Sequence, residues 1–310
     1  HLKHSFHGRG HFAMHMGPEE KRIGQNNNQN IVPFSGVFGS DTSKVDIELN
    51  NVRQLIESTQ LSGKKVSQII LEGYQGEGGA YRPINAHFYH GLYQLALEYD
   101  IAISLDCVQC GVLGNAGGGE FNNTAFKRII DDSDLSETIK DELKHKGYDT
   151  ISTAKMLQTA VTGINKNGPH FRSYSNSDFE RYTDALPSQC NSTAGAAQTL
   201  IKTGFLLDAM DKYQIWDAPY EFELGIGNEL KMALLSHPMV KHVELKGIMM
   251  GIFFHDHESK NDFLKTAPSS YYLNVSGQNA IRFAFQLDTA HSKDAINVIE
   301  QYISDLKRTY

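Results

Sequence analysis

Cysteine, proline and tryptophan are all scarce in this sequence, with three, eight and one among 310 residues. Cys107, Cys110 and Cys190 are too few and too odd in number for a disulfide framework, which points to a reducing compartment and makes the cytoplasm the expected location. Positive charge is in the minority: 29 Lys and Arg stand against 36 Asp and Glu, for a formal charge of -7. The basic residues are scattered rather than striped, so no nucleic-acid partner is expected. No apolar run reaches the roughly 18 residues of a membrane-spanning helix. The longest, residues 247–254, has the length of a buried strand, and no membrane partner is expected. The first residues lack the basic start and apolar middle of a secretion signal, and the expectation is a sequence that begins downstream of the true start. At 40% hydrophobic residues there is enough apolar material for one large core or two smaller ones.

From about residue 65 onward, short runs rich in Ile and Val alternate with stretches of helical periodicity, which predicts an α/β fold with a mostly parallel central sheet. Residues 67–72 and 101–106 read as strands. Between them Phe88, Leu92, Leu95 and Tyr99 recur at helical spacing. Parallel strands joined by right-handed crossovers bring their carboxyl ends to one edge, so residues 72–79 and 106–111 are expected where chemistry takes place. The polar stretch 114–148 reads as an excursion on the outside, with a surface helix over 131–146. A long helix is expected over 194–213. The remainder reads as a smaller α/β domain with a helix over 221–235, a strand pair over 243–254, a strand over 280–287 and a terminal helix over 292–306. Two domains follow, residues 1–212 and 213–310. Residues 25–30 form a low-complexity stretch read as a surface loop.

Several local patterns invite a chemical reading. His1, His4, His7, His11 and His15 have a density suited to a metal, but Gly8 and Gly10 break the helix that would align them, and no metal is expected. Cys107-Val108-Gln109-Cys110 has redox-dithiol spacing, yet Gly111 and Gly114 follow where such a motif requires a helix. Gly76-Glu77-Gly78-Gly79 follows a strand without the glycine spacing or the lysine of a nucleotide loop. Asp106 is more informative, because a charge at the lip of a buried sheet needs a partner; helix capping is the plainer alternative. Lys155 sits among apolar neighbours, where desolvation lowers a lysine's pKa and sharpens it as a nucleophile, the plainer alternative being a snorkelling surface lysine.

Taken in order, these segments resemble the class III, fold-type-I, pyridoxal-phosphate (PLP) aminotransferases, and within them the group that acts on L-lysine. The resemblance rests on Phe6-His7-Gly8-Arg9, on Glu72-Gly73-Tyr74-Gln75-Gly76-Glu77-Gly78-Gly79, on Asp106-Cys107-Val108-Gln109, on Lys155 with Gln158 after it, on Asn191-Ser192-Thr193, on Lys246-Gly247-Ile248-Met249-Met250 and on Ile281-Arg282-Phe283. It implies a large PLP-binding domain followed by a smaller C-terminal one. It further implies that Lys155 holds PLP and moves the proton, that Asp106 pairs with the pyridine nitrogen, and that Phe6 stacks on the ring. His7, Gln109, Ser192 and Thr193 complete the implied cofactor site, the phosphate contact being made across the interface of a homodimer. Arg282 is implied as the fork for an α-carboxylate, Arg9 as a second carboxylate contact, and Glu77 as a carboxylate that pairs with an arginine and swings aside for 2-oxoglutarate.

The implied reaction moves an ω-amino group, the ε-amine of L-lysine, to 2-oxoglutarate. A 4-aminobutyrate or ornithine specificity is the nearest alternative, and a non-catalytic relative is the alternative of a different kind. The sequence departs from the family at Gly73, Cys107, Gly114-Asn115-Ala116-Gly117, Ala194 and Ala284-Phe285, and the family's N-terminal arm and first phosphate loop have no counterpart in it. A divergent member is therefore expected.

Overall fold

A computed structural model of the chain describes residues 1–7, 16, 31–106, 124–146, 149–153, 170–174, 205, 208–209, 212–213, 218–266, 274–277 and 279–284. The loop at 25–30, most of the helix expected over 194–213 and the helix expected over 292–306 lie outside these residues.

The alternation of apolar runs and helical stretches produces the expected parallel strands. After the helix α1 (Val45–Leu61) come β1 (Gln68–Leu71), β2 (Tyr74–Gln75), β3 (Arg82–Pro83), the helix α2 (Ala86–Tyr99) and β4 (Ala102–Asp106). The helices α3 (Thr124–Asp131) and α4 (Glu137–Lys146) precede β5 (Asp149–Thr153) and β6 (His170–Tyr174). Strands β1, β4, β5 and β6 form one sheet in that order; β4 runs parallel to both β1 and β5, whereas β6 is antiparallel to β5.

Helix α2 shows why this sequence folds as it does locally. Asn85 caps it, its side-chain oxygen accepting the Phe88 N–H at 3.0 Å. Phe88, Tyr89, Leu92, Leu95 and Ala96 then bury one stripe against the sheet. Each large side chain so buried contributes roughly 1.5–3 kcal/mol. Asp100 ends the helix in the left-handed region (φ 53°) and turns the chain into β4.

The polar region after β4 differs from expectation. The surface helix expected over 131–146 is the shorter α4, and α3 ends at Asp131, where that helix was expected to begin. Nor is the stretch simply outside, since Ile129, Ile130, Leu135 and Leu143 join the main core while Asp131, Asp134, Glu137 and Asp141 are exposed. Likewise the helix expected over 221–235 is α5 (Ala218–Leu224) and α6 (Ile226–Leu235), separated at Gly225.

A second sheet is antiparallel throughout. Its strands β7 (Val240–Lys246), β8 (Met249–Phe254), β9 (Asn274–Ser276) and β10 (Ala280–Ala284) lie in the order β7-β8-β10-β9, with the helix α7 (His257–Thr266) inserted after β8. Leu230, Leu234, Val243, Met250, Ile252, Phe254, Phe263 and Ile281 form its own core. Arg128 of α3 meets Glu223 of α5 at 2.9 Å, and Lys246 meets Asp132 at 2.7 Å, tying the two sheets' surroundings together. Among the described residues no helix is long and apolar enough to cross a membrane.

His237, just after α6, titrates against this second core. Its ring lies edge-on to Phe263 (5.8 Å), and Nδ1 accepts the Met239 N–H at 3.3 Å. Burial holds its pKa below the usual 6.5. The folded state therefore binds fewer protons there than the unfolded state, and stability falls as pH drops from the unfolded value through the lowered folded one. His237→Gln is expected to flatten the decline in melting temperature between pH 7 and pH 5; parallel pH profiles for variant and parent would refute this.

Candidate active site

Because β1, β4 and β5 are parallel, their carboxyl ends meet along one edge. The register pairs Leu71 with Leu105 and Asp106 with Ile151, so Asp106 is the last residue of the central strand at that edge. Its side chain is 8% exposed, and its Oδ2 accepts a hydrogen bond from His7 Nδ1 at 2.9 Å, the ring itself being 2% exposed. A carboxylate at such a depth needs a partner, and the imidazole fixes its orientation.

His7 is held there by the first residues of the chain, which lie alongside β1. The Leu2 N–H donates to the Ile70 carbonyl at 3.1 Å, and Lys3 and Phe34 exchange a further backbone bond at 2.8 Å. Gln75 reaches back to the Lys3 carbonyl. Phe6, one residue before His7, is half-buried. Strand β5 ends at Thr153 on the same edge as Asp106, and Lys155 follows it in sequence by two residues. Lys155 itself lies outside the described residues, as do Arg9, Gln109, Ser192 and Thr193.

The second group of candidate residues forms where the two sheets meet. Arg282 in β10 is 8% exposed, and its Nη2 donates to Glu77 Oε1 at 2.7 Å. Its Nη1 lies 3.4 Å from the Tyr81 hydroxyl, and its guanidinium is 5.5 Å from the centre of the Tyr81 ring. Charge-assisted bonds at this depth are among the strong ones. Sequence reading paired Glu77 with an arginine without naming which; here the partner is Arg282.

Sheet register explains how the loop carrying Glu77 comes so close. Gly251 of β8 and Asn274 of β9 flank Arg282 on either side, so the three residues form one row across the sheet. At Gly251 a Cβ would overlap the carbonyl oxygen of Ala80, and only glycine leaves room for that backbone. Ala80 and Tyr81 are both left-handed, at φ 50° and 63°, a sparsely populated conformation kept where the surroundings enforce it. On the loop's other side a Cβ at Gly78 would overlap the carbonyl of His4, so the Glu77 loop is wedged between the segment bearing His7 and the strand bearing Arg282. Gly251→Ala is expected to destabilise the fold by about 1–3 kcal/mol, as overpacking does. A urea midpoint equal to that of the parent would show that the loop can yield.

Neither Gly251, Tyr81 nor Ser276, which bonds this same loop, was legible as a site residue. Each acquires its place from residues far away in sequence.

Comparisons with known proteins bear on the fold. Residues 1–125 match the family described as aminotransferase class-III. Lysine aminotransferase from M. tuberculosis superposes with a TM-score of 0.71 at 16% identity, over 99% of this chain and 66% of that one. A phospholyase from Arthrobacter in complex with phosphoethanolamine gives 0.71 at 14% identity, over 98% of this chain and 70% of that one. The chain thus has the fold-type-I architecture of the PLP-dependent transferases. Over its first 125 residues it is similar to the class III aminotransferase family. The mitochondrial acetylornithine aminotransferase of Debaryomyces hansenii is 24% identical over 99% of this chain, which spans 58% of that protein's length.

The cofactor of that family is PLP, and the residues present fit it. A buried carboxylate at the carboxyl end of a parallel strand, oriented by a buried imidazole, suits the N–H of a protonated pyridine as its acceptor.

Proposed function

We propose that the protein is a PLP-dependent aminotransferase that moves an ω-amino group, most directly the ε-amine of L-lysine, to 2-oxoglutarate. The observation that carries this reading is the buried Glu77–Arg282 pair at 2.7 Å. An ω-amine donor brings no carboxylate close to its reacting carbon, so an unpartnered arginine there would be a buried charge without compensation, and Glu77 supplies the compensation. A 2-oxo acid does bring a carboxylate next to its reacting carbon. When the Glu77 side chain withdraws, Arg282 meets that carboxylate with two parallel hydrogen bonds. One site thereby serves a donor and an acceptor of different charge distribution.

Bound PLP supplies the electron sink at the amine-bearing carbon, which no protein side chain offers. The protein's share is binding and proton movement. Asp106, steered by His7, holds the proton on the pyridine nitrogen; Phe6 covers a ring face, and Gln109 contacts the ring hydroxyl. Ser192 and Thr193 bind the phosphate, Thr193 across the interface of a homodimer. Lys155 anchors the cofactor and carries the proton to and from the substrate carbon, and Arg9 takes the donor's distant carboxylate. The division between the cofactor-binding domain and the small domain falls near residue 212.

A second donor class is favoured by a specific observation, the likeness to an acetylornithine aminotransferase at 24% identity. Glutamate formation from 2-oxoglutarate with L-lysine, ornithine, acetylornithine or 4-aminobutyrate as sole donor separates these readings. Borohydride reduction of the PLP-loaded protein followed by peptide mapping is expected to leave a phosphopyridoxyl group on Lys155. Unlabelled Lys155 would favour a non-catalytic relative of the fold.

A further inference from the structure

The loop that carries Glu77 is held by a residue on a distant strand. Ser276, the last residue of β9, is 2% exposed. Its hydroxyl accepts the Ala80 N–H at 2.9 Å and donates to the Glu77 carbonyl at 2.6 Å, with the Gly76 carbonyl at 3.2 Å as a weaker second acceptor. A single hydroxyl thus bonds both sides of Glu77, before Gly78 and after Gly79. Register puts it on the side of the sheet that bears Arg282: Ser276 pairs with Ala280, and Arg282 lies two residues further along β10.

We propose that Ser276 is the positioning residue of the carboxylate switch, pinning the Glu77 main chain so that passage between donor and acceptor requires only the Glu77 side chain to move. The inference rests on the reading of Glu77 and Arg282 given under Proposed function. The loop's own turn bonds, from the Ala80 N–H to the Gly76 carbonyl at 3.1 Å and from the Arg82 N–H to the Gly79 carbonyl at 3.1 Å, hold its shape but not its place, and two further contacts are steric: the His4 carbonyl stands against Gly78, and Ala80 against Gly251. Such walls stop the loop moving toward them. Ser276 bonds the Glu77 carbonyl directly, and so opposes the loop's following its side chain when that side chain leaves Arg282. Without the hydroxyl, a dicarboxylate that displaces Glu77 must also order the loop, and that cost appears as lost affinity. A monocarboxylate that leaves the Glu77–Arg282 pair closed pays no such cost.

The test uses the PLP-loaded protein and two unreactive probes, glutarate and valerate, with binding measured by calorimetry. Ser276→Ala is expected to weaken glutarate about 5- to 10-fold, the size of a typical lost hydrogen bond, and to leave valerate unchanged. Ser276→Thr, which keeps the hydroxyl, is expected to restore glutarate binding. In a Glu77→Gln background Ser276→Ala is expected to have no further effect, because the two residues act as one unit. Glutarate affinity in Ser276→Ala equal to the parent's overturns the proposal, as does an additive loss in the Glu77→Gln background, which would mark a general packing role. If glutarate binding by the parent is insensitive to Arg282→Met, the reading of Arg282 fails first and Ser276 loses its role with it. Melting temperatures of each variant identify any loss that comes from unfolding.

Discussion

Arg282→Met is expected to raise KM for 2-oxoglutarate by on the order of 100-fold, because truncating one member of a buried, hydrogen-bonded charge pair costs about 2–5 kcal/mol. The same change should lower stability, since Glu77 keeps its charge at 16% side-chain exposure and loses the Nη2 donor at 2.7 Å. Removing one partner of a buried pair costs about 3–5 kcal/mol for that reason. Binding and stability can be separated with a second change. In Glu77→Gln/Arg282→Met both charges are gone, so the melting temperature should return most of the way to that of the parent. Affinity for 2-oxoglutarate should not return. Recovery of both together would mean that the pair is structural and that no acceptor carboxylate reaches this site. An unaltered KM in Arg282→Met would have the same meaning.

Local features of this molecule were legible in its sequence, and long-range ones were not. The stripe of Phe88, Leu92 and Leu95 became the buried face of α2, and the apolar run before Asp106 became β4, because each is dictated by a period within one element. Helix α1 escaped notice for the converse reason: it buries only Val45, Val52 and Ile56, and charged and polar residues interrupt the pattern between them. The charged stretch after residue 131 read as surface, yet Leu135 and Leu143 are core residues, each a single apolar side chain among several charges. At the candidate site, Asp106, Glu77 and Arg282 were named through motif order. The residues that hold the Glu77 loop in place came from the fold alone. Ser276 is 196 residues from the Ala80 N–H it accepts, and Gly251 matters only because β8 passes beneath that same residue. A serine in an edge strand and a glycine in an apolar run carry no local mark of such roles.

The contrast between Asp106 and His7 provides the sharpest test of the proposed cofactor site. Asp106→Asn keeps the shape, and its side-chain oxygen can still accept from His7 Nδ1, now 2.9 Å from Oδ2. Only the charge is removed. A neutral amide cannot hold a proton on a pyridine nitrogen, so turnover is expected to fall by on the order of 100- to 1000-fold, the scale of losing one fixed electrostatic contact in a buried site. Stability should hold or rise, because a buried charge has been replaced by a neutral group of the same size. His7→Gln does the reverse. The carboxylate charge stays and its orientation loosens, with an expected loss on the order of tenfold, one hydrogen bond to a charged group. Spectrophotometric titration with PLP should rank the proteins in the same order: parent tightest, His7→Gln intermediate, Asp106→Asn weakest. Equal losses for the two variants would make His7 a direct cofactor ligand rather than a steering group. Full activity in Asp106→Asn would remove this strand end from the chemistry altogether.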